Sequence, residues 1–184
     1  MQLKTHLTLA LGACLIAGAS AAKENSGPQV GDPIVPFTVK GTLDDERGKD
    51  LDLVKQAAGK TLVLFFLHER SRPAIALARQ VLSAAADLRS QGVTAGMVIL
   101  SPDVAATDEW VNIARNAFPR GVTIGVSPDG PLGPAAYNLS GKVVVTVIVA
   151  HNNRVTANFA STQPAPDDAG PMIEAIRMAS GVKR

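Results

Sequence analysis

The sequence predicts an α/β fold in which a mixed central sheet lies between helices, a three-layer sandwich. Apolar, β-prone runs at residues 61–67, 93–100 and 143–150 are typical of strands buried on both faces. Helical periodicity over residues 73–89 separates the first two runs. Strands joined through helices pair in parallel, whereas the run at 143–150 leads into a hairpin and therefore adds antiparallel partners.

The remaining elements follow in order along the chain. Thr107 is a candidate N-cap for a helix that carries Trp110 and Ile113 on its apolar stripe. Asn152 and Asn153 predict the hairpin turn, because asparagine tolerates the left-handed backbone region. The other predicted strands cover residues 35–39, 122–126 and 154–160, and the other predicted helices cover residues 51–58 and 171–179.

The first 22 residues have the features of a secretory signal. Lys4 precedes an apolar stretch at residues 7–17, which is too short to span a bilayer, and small residues follow at 19–21. An N-terminal membrane anchor is the alternative. Residues 23–30 then read as a polar linker and residues 31–184 as one domain. The interpretation predicts an exported protein, periplasmic or secreted, with no direct membrane insertion after cleavage.

The one cysteine of the chain, Cys14, lies inside this segment. Its context loosely resembles a lipoprotein box, but the residues after Cys14 stay apolar, which favours an ordinary signal peptide. Cleavage would leave a chain without a thiol, a disulfide or a cysteine metal ligand. The formal net charge of +2 and the lack of a dense basic run argue against a nucleic-acid partner.

Four phrases of the sequence resemble the redoxin and peroxiredoxin-like branch of the thioredoxin-like superfamily. They occur in the same order as in that branch: Val30-Gly31-Asp32-Pro33 with Pro36-Phe37-Thr38-Val39, Gly59-Lys60 before the run at 61–66, Asp129-Gly130 with Ala136-Tyr137-Asn138-Leu139, and residues 144–155. The resemblance extends from about residue 30 to the C-terminus. It implies a thioredoxin-like sandwich.

The chain departs from that branch where the branch performs its chemistry. Arg70-Ser71-Arg72-Pro73 stands where thioredoxins carry Cys-x-x-Cys, and Arg72 stands where a peroxiredoxin places its reactive cysteine before a proline. Val144 falls near the position of the thioredoxin cis-proline. Thiol–disulfide exchange and peroxidase activity are therefore not expected, since a serine hydroxyl at Ser71 cannot form a disulfide.

The junction at residues 68–73 is nevertheless the strongest candidate site. It comprises His68, Glu69, Arg70, Ser71, Arg72 and Pro73. Such a junction lies at the carboxyl end of a central strand and opens a helix, where backbone N–H groups favour an anion. Arg70 and Arg72 are suited to bidentate binding of carboxylate or phosphate. The alternative is that Ser71 only caps the helix while both arginines are solvated or paired with Glu69.

These observations predict a non-catalytic module that binds a small anion or the acidic peptide of an unidentified protein partner. No cofactor is implied. A metal site is not expected either, because His68 and His151 should lie at opposite ends of antiparallel strands. Two alternatives remain: an enzyme that borrows a partner's thiol or uses His68 and Glu69 in acid–base chemistry, and a structural protein of the cell envelope.

Overall fold

A computed structural model describes residues 24–182, so the predicted signal segment at residues 1–22 lies outside the described residues. The strands of the described part are β1 (Val39–Gly41), β2 (Asp50–Leu51), β3 (Leu62–Leu67), β4 (Thr94–Ile99), β5 (Thr123–Val126), β6 (Val145–His151) and β7 (Arg154–Ser161). Its α-helices are α1 (Leu53–Ala57), α2 (Arg72–Asp87), α3 (Val104–Ile113) and α4 (Ala169–Ser180). No helix between residues 24 and 182 is long and apolar enough to cross a bilayer.

The strands form one mixed sheet in the order β2-β1-β5-β4-β3-β6-β7. β3, β4 and β5 are parallel, whereas β6 runs antiparallel to β3 and places Val145 opposite Leu67. β7 returns from β6 through Asn152 and Asn153, whose φ angles of 52° and 57° are left-handed. The predicted mixed sheet and its closing hairpin are confirmed.

Alternate side chains of the buried strands supply two separate cores. On one face, α2, α3 and α4 cover the side chains of Val63, Phe65 and Leu67. On the other face, α1 packs beside an aromatic cluster of Phe37, Phe66 and Tyr137, whose ring centroids lie 4.8–5.9 Å apart. Helices on both faces of the sheet complete the three-layer sandwich.

The strand predicted at residues 35–39 was wrong in its position, since β1 is Val39–Gly41. Two features keep the preceding residues out of the ladder. Pro36 has no N–H to donate, and the Val35 carbonyl accepts a hydrogen bond from the Tyr137 hydroxyl at 2.9 Å. Residues 35–38 therefore do not pair with a strand, and the Phe37 side chain packs in the aromatic cluster.

The prediction that Thr107 caps α3 was also wrong. The helix begins four residues earlier than predicted, where the Asp103 carboxylate accepts from the Ala106 N–H at 2.9 Å. Thr107 is buried inside the helix and donates back to the Asp103 carbonyl at 2.7 Å. The buried stripe of α3 includes Val111, while Ile113 is 78% exposed.

Candidate functional site

The junction at residues 68–73 lies at the carboxyl end of β3, beside the start of β6. The Val144 carbonyl accepts hydrogen bonds from the N–H groups of His68, at 2.9 Å, and Glu69, at 3.3 Å. Val144 also donates its own N–H to Ser161 at 2.8 Å, a bond that proline could not make. Val144, which the sequence places near the position of the thioredoxin cis-proline, therefore contacts the junction through its carbonyl and bonds to β7 through its N–H.

The start of α2 presents few backbone donors. Ser71 is the predicted N-cap, and its hydroxyl accepts from the Ala74 N–H at 3.4 Å. Pro73 has no N–H, and Ile75 donates to the Ser71 carbonyl at 3.0 Å. The Arg72 N–H is left as the available donor of the first turn. Backbone capture of an anion is thus weaker here than the sequence pattern indicates.

The two arginines of the junction occupy different surroundings. The Arg70 guanidinium carbon lies 5.2 Å from the centroid of the Trp110 ring, and that ring packs edge-to-face on Phe118. Arg72 is exposed at the first turn of α2. Within residues 24–182, neither guanidinium lies within 4 Å of a carboxylate, Glu69 included. Both positive charges are therefore available to a ligand from solvent.

His68 points away from this charged surface and into the protein. Its Nε2 lies 3.0 Å from the Thr146 hydroxyl, and its Nδ1 is buried without a hydrogen-bond partner among the described residues. Burial lowers the pKa of His68 to about 4, so the ring is neutral at neutral pH. Because Nε2 is bonded to Thr146 and Nδ1 is buried, neither nitrogen can exchange a proton readily with a ligand bound at the surface.

A buried polar chain continues from His68 to the N-terminal segment. The Thr146 and Ser26 hydroxyl oxygens lie 2.6 Å apart, and Ser26 Oγ accepts from the Ser140 N–H at 3.0 Å. Asn158 donates to the carbonyls of Ser26, at 2.9 Å, and Pro28, at 2.8 Å. Residues 26–28, which belong to the predicted linker at residues 23–30, thus pack against β6 and β7. Through Thr146 they are linked to His68 of the junction.

Thr146, Ser26 and Trp110 also belong to this region, although the sequence pattern does not identify them as parts of it. A signal for Thr146 was available: it is the one hydroxyl in the apolar run at 143–150, and a buried polar side chain requires a partner. The sequence does not identify that partner, because Ser26 is 120 residues away from Thr146 along the chain. The contact of Trp110 with Arg70 likewise depends on how α3 packs beside α2.

The second histidine lies far from the junction. His151 ends β6, where its Nδ1 is 3.1 Å from the Thr61 hydroxyl, while His68 lies beside the start of that strand. The antiparallel register therefore places the two rings at opposite ends of the sheet, as predicted. Between residues 24 and 182, no three His, Asp or Glu side chains are grouped so as to hold a metal ion.

Solved structures show which known fold this architecture resembles. A protein provisionally assigned as the thiol:disulfide interchange protein DsbE of Chlorobium tepidum aligns with a TM-score of 0.64 and 19% identity, over 83% of this chain and 99% of its own. One provisionally assigned as a protein disulfide isomerase of Bacteroides thetaiotaomicron gives 0.67 and 13%, over 86% and 95%. Peroxidoxin BcpB of Mycobacterium tuberculosis gives 0.59 and 14%, over 82% and 97%.

The chain therefore has the thioredoxin-like fold of these redoxins, as its sequence phrases predicted. No protein-family model matches the sequence, and no curated protein matches it.

Proposed function

We propose that this chain is an exported, non-catalytic binding module that uses the junction at residues 68–73 to bind an anion. The ligand is a small carboxylate or phosphate compound, or the acidic segment of a protein partner. The observation that carries the proposal is the pair of guanidinium groups, Arg70 and Arg72, which have no carboxylate partner within residues 24–182. They stand where related folds carry thiols. Export rests on the sequence of residues 1–22 alone.

Arginine side chains, not the helix terminus, supply the affinity in this proposal. The first turn of α2 offers one backbone N–H, whereas each guanidinium offers a fork of donors that matches a carboxylate or phosphate. Stacking on Trp110 limits the rotamer freedom of Arg70, so less entropy is lost when a ligand binds.

The test is a thermal-shift titration with inorganic phosphate, acetate and a short peptide that carries one acidic residue. A ligand at 100 times its Kd stabilises the native state by about 2.7 kcal/mol, which raises Tm by roughly 5–10 °C for a domain of this size. We expect this shift in the wild type and its loss in Arg70→Gln/Arg72→Gln. Trp110 is the one tryptophan, so ligand contact with Arg70 should also change the protein's fluorescence.

The matched control is Lys49→Gln/Arg79→Gln, which removes two positive charges from exposed positions outside the junction. The control variant should bind as the wild type does. If no anion shifts Tm, or if both double variants lose the shift equally, the junction does not bind an anion and the proposal fails.

An oxidoreductase that borrows a partner's thiol is the second candidate. Its support is that the structures similar in fold include a protein named as a thiol:disulfide interchange protein and a peroxidoxin. The geometry adds no reactive group to it, since residues 68–73 contain no thiol and both nitrogens of His68 are turned inward. Catalysed disulfide reduction that requires added dithiothreitol would favour this candidate, and a rate equal to the uncatalysed one would favour the binding module.

A further inference from the structure

A large groove opens at the end of the sheet opposite the junction. It has a volume of about 1160 Å³ and lies over the amino ends of the parallel strands β3, β4 and β5. We call it the amino-end groove and define it by Lys60, Arg89, Gly92, Arg120 and Gly121. A groove of this size has room for a small molecule.

Three cations of the groove come from successive strand connections. Lys60 precedes β3, Arg89 lies in the turn before β4, and Arg120 lies in the turn before β5. Neighbouring strands are about 4.8 Å apart, so these connections are adjacent along the end of the sheet. No carboxylate in the described part of the chain lies within 4 Å of their charged atoms.

The two glycines let the cationic side chains lie close to the backbone. A Cβ on Gly92 would be 3.2 Å from the Lys60 Cδ, and one on Gly121 would be 3.1 Å from an Arg89 guanidinium nitrogen. Both glycines have left-handed φ angles, 87° and 79°. The glycines thus leave room for the Lys60 stem and the Arg89 guanidinium beside the two turns, where both side chains stay exposed to a ligand.

The acidic groups of the groove lie between β1 and β2, beside the start of β5. Asp44 pairs with Arg115 at 2.6 Å, and Glu46 accepts from the Thr123 hydroxyl at 3.1 Å. Asp45 is the third carboxylate of this segment and is exposed. Arg115 neutralises Asp44, whereas the Thr123 hydroxyl leaves the charge of Glu46 in place. The three cations Lys60, Arg89 and Arg120 therefore face the charges of Asp45 and Glu46 and leave a small positive excess in the groove.

We propose that the amino-end groove binds a small polyanion, one molecule with two or more phosphate or carboxylate groups. A ligand with several negative charges contacts Lys60, Arg89 and Arg120 together and relieves their mutual repulsion, whereas a single anion satisfies one of them. The site is independent of the junction, because the two lie at opposite ends of the sheet.

The test is isothermal titration calorimetry of the purified protein with inorganic pyrophosphate and, in a second arm, citrate. We expect binding that weakens with added salt and is at least about tenfold weaker in Lys60→Gln/Arg120→Gln. Lys49→Gln/Arg79→Gln should bind within about twofold of the wild type, and Arg70→Gln/Arg72→Gln should keep the binding component that Lys60→Gln/Arg120→Gln loses. The ratio of the two arms identifies phosphate or carboxylate as the preferred group.

Two results would overturn this proposal. One is a Kd weaker than about 1 mM for both probes in the wild type. The other is binding that is lost in the junction variant but kept in Lys60→Gln/Arg120→Gln. Circular dichroism spectra and Tm values of the ligand-free variants establish that each one folds, so a loss of binding is not a loss of structure.

Discussion

Replacing Thr146 by valine tests the buried polar chain that supports the junction. Thr146 is fully buried, and its hydroxyl contacts Ser26 Oγ at 2.6 Å and His68 Nε2 at 3.0 Å. Valine keeps the volume but removes both hydrogen bonds. Ser26 retains the Ser140 N–H, whereas neither nitrogen of His68 keeps a partner among the described residues. Two lost bonds and one newly orphaned nitrogen should lower the free energy of unfolding by about 2–4 kcal/mol.

Urea denaturation followed by Trp110 fluorescence measures this change. The midpoint should fall while the m-value stays constant, because the surface exposed on unfolding is unchanged. The control is Thr156→Val, which removes one part-buried hydrogen bond, from the hydroxyl of an exposed residue to the Val149 carbonyl at 3.1 Å, and should lower stability by about 1 kcal/mol or less. A loss below about 0.5 kcal/mol in Thr146→Val would refute the view that this chain of hydroxyls stabilises the junction.

Two further predictions concern His68 and the packing of β5. Burial sets the pKa of His68 at about 4 in the folded protein, below the ordinary 6.5, so the unfolded chain binds the proton first. Stability should therefore fall as the pH drops from about 6.5 to 4, by about 2 kcal/mol after allowance for solvent screening, and a His68→Gln variant should lack this component in urea titrations across that range. An equal slope in both proteins would show that the ring is not the group responsible. A Cβ at Gly125 would overlap Val39 Cγ1 and lie 2.7 Å from the Lys40 carbonyl oxygen, so Gly125→Ala should destabilise by at least about 2 kcal/mol. Gly170→Ala, with open space around it in α4, should be neutral or slightly stabilising, and equal Tm values for the two variants would contradict this assignment.

The main elements of the fold were predictable because their signals are local. The runs in β3, β4 and β6 are apolar over their whole length, and the asparagine pair between β6 and β7 specifies its own turn. The start of α3 was predicted wrongly because Asp103 and Thr107 are both good caps, and only packing decides between them. β2 was missed because two residues are too short to carry a pattern.

The candidate site was predictable in composition but not in arrangement. The sequence places Arg70, Ser71 and Arg72 at the start of a helix, and Ser71 is its cap. The orientation of each side chain could not be predicted from the sequence. Arg70 lies on Trp110, a residue of another helix, and His68 turns inward toward Thr146. Each of these contacts joins residues that are 40 or more positions apart.

The sequence by itself determined the α/β class, the order of the elements, the hairpin and the absence of a thiol after Cys14, because composition and short-range periodicity specify these properties. Only the tertiary structure decided that the two junction arginines face solvent without carboxylate partners in the described part, that the His68 ring turns inward and is neutral, and that Lys60, Arg89 and Arg120 line one groove at the end of the sheet. The physical reason is that charge compensation and burial depend on distances through space. Those distances are set by strand order and register, and the sequence pattern of a single strand contains neither.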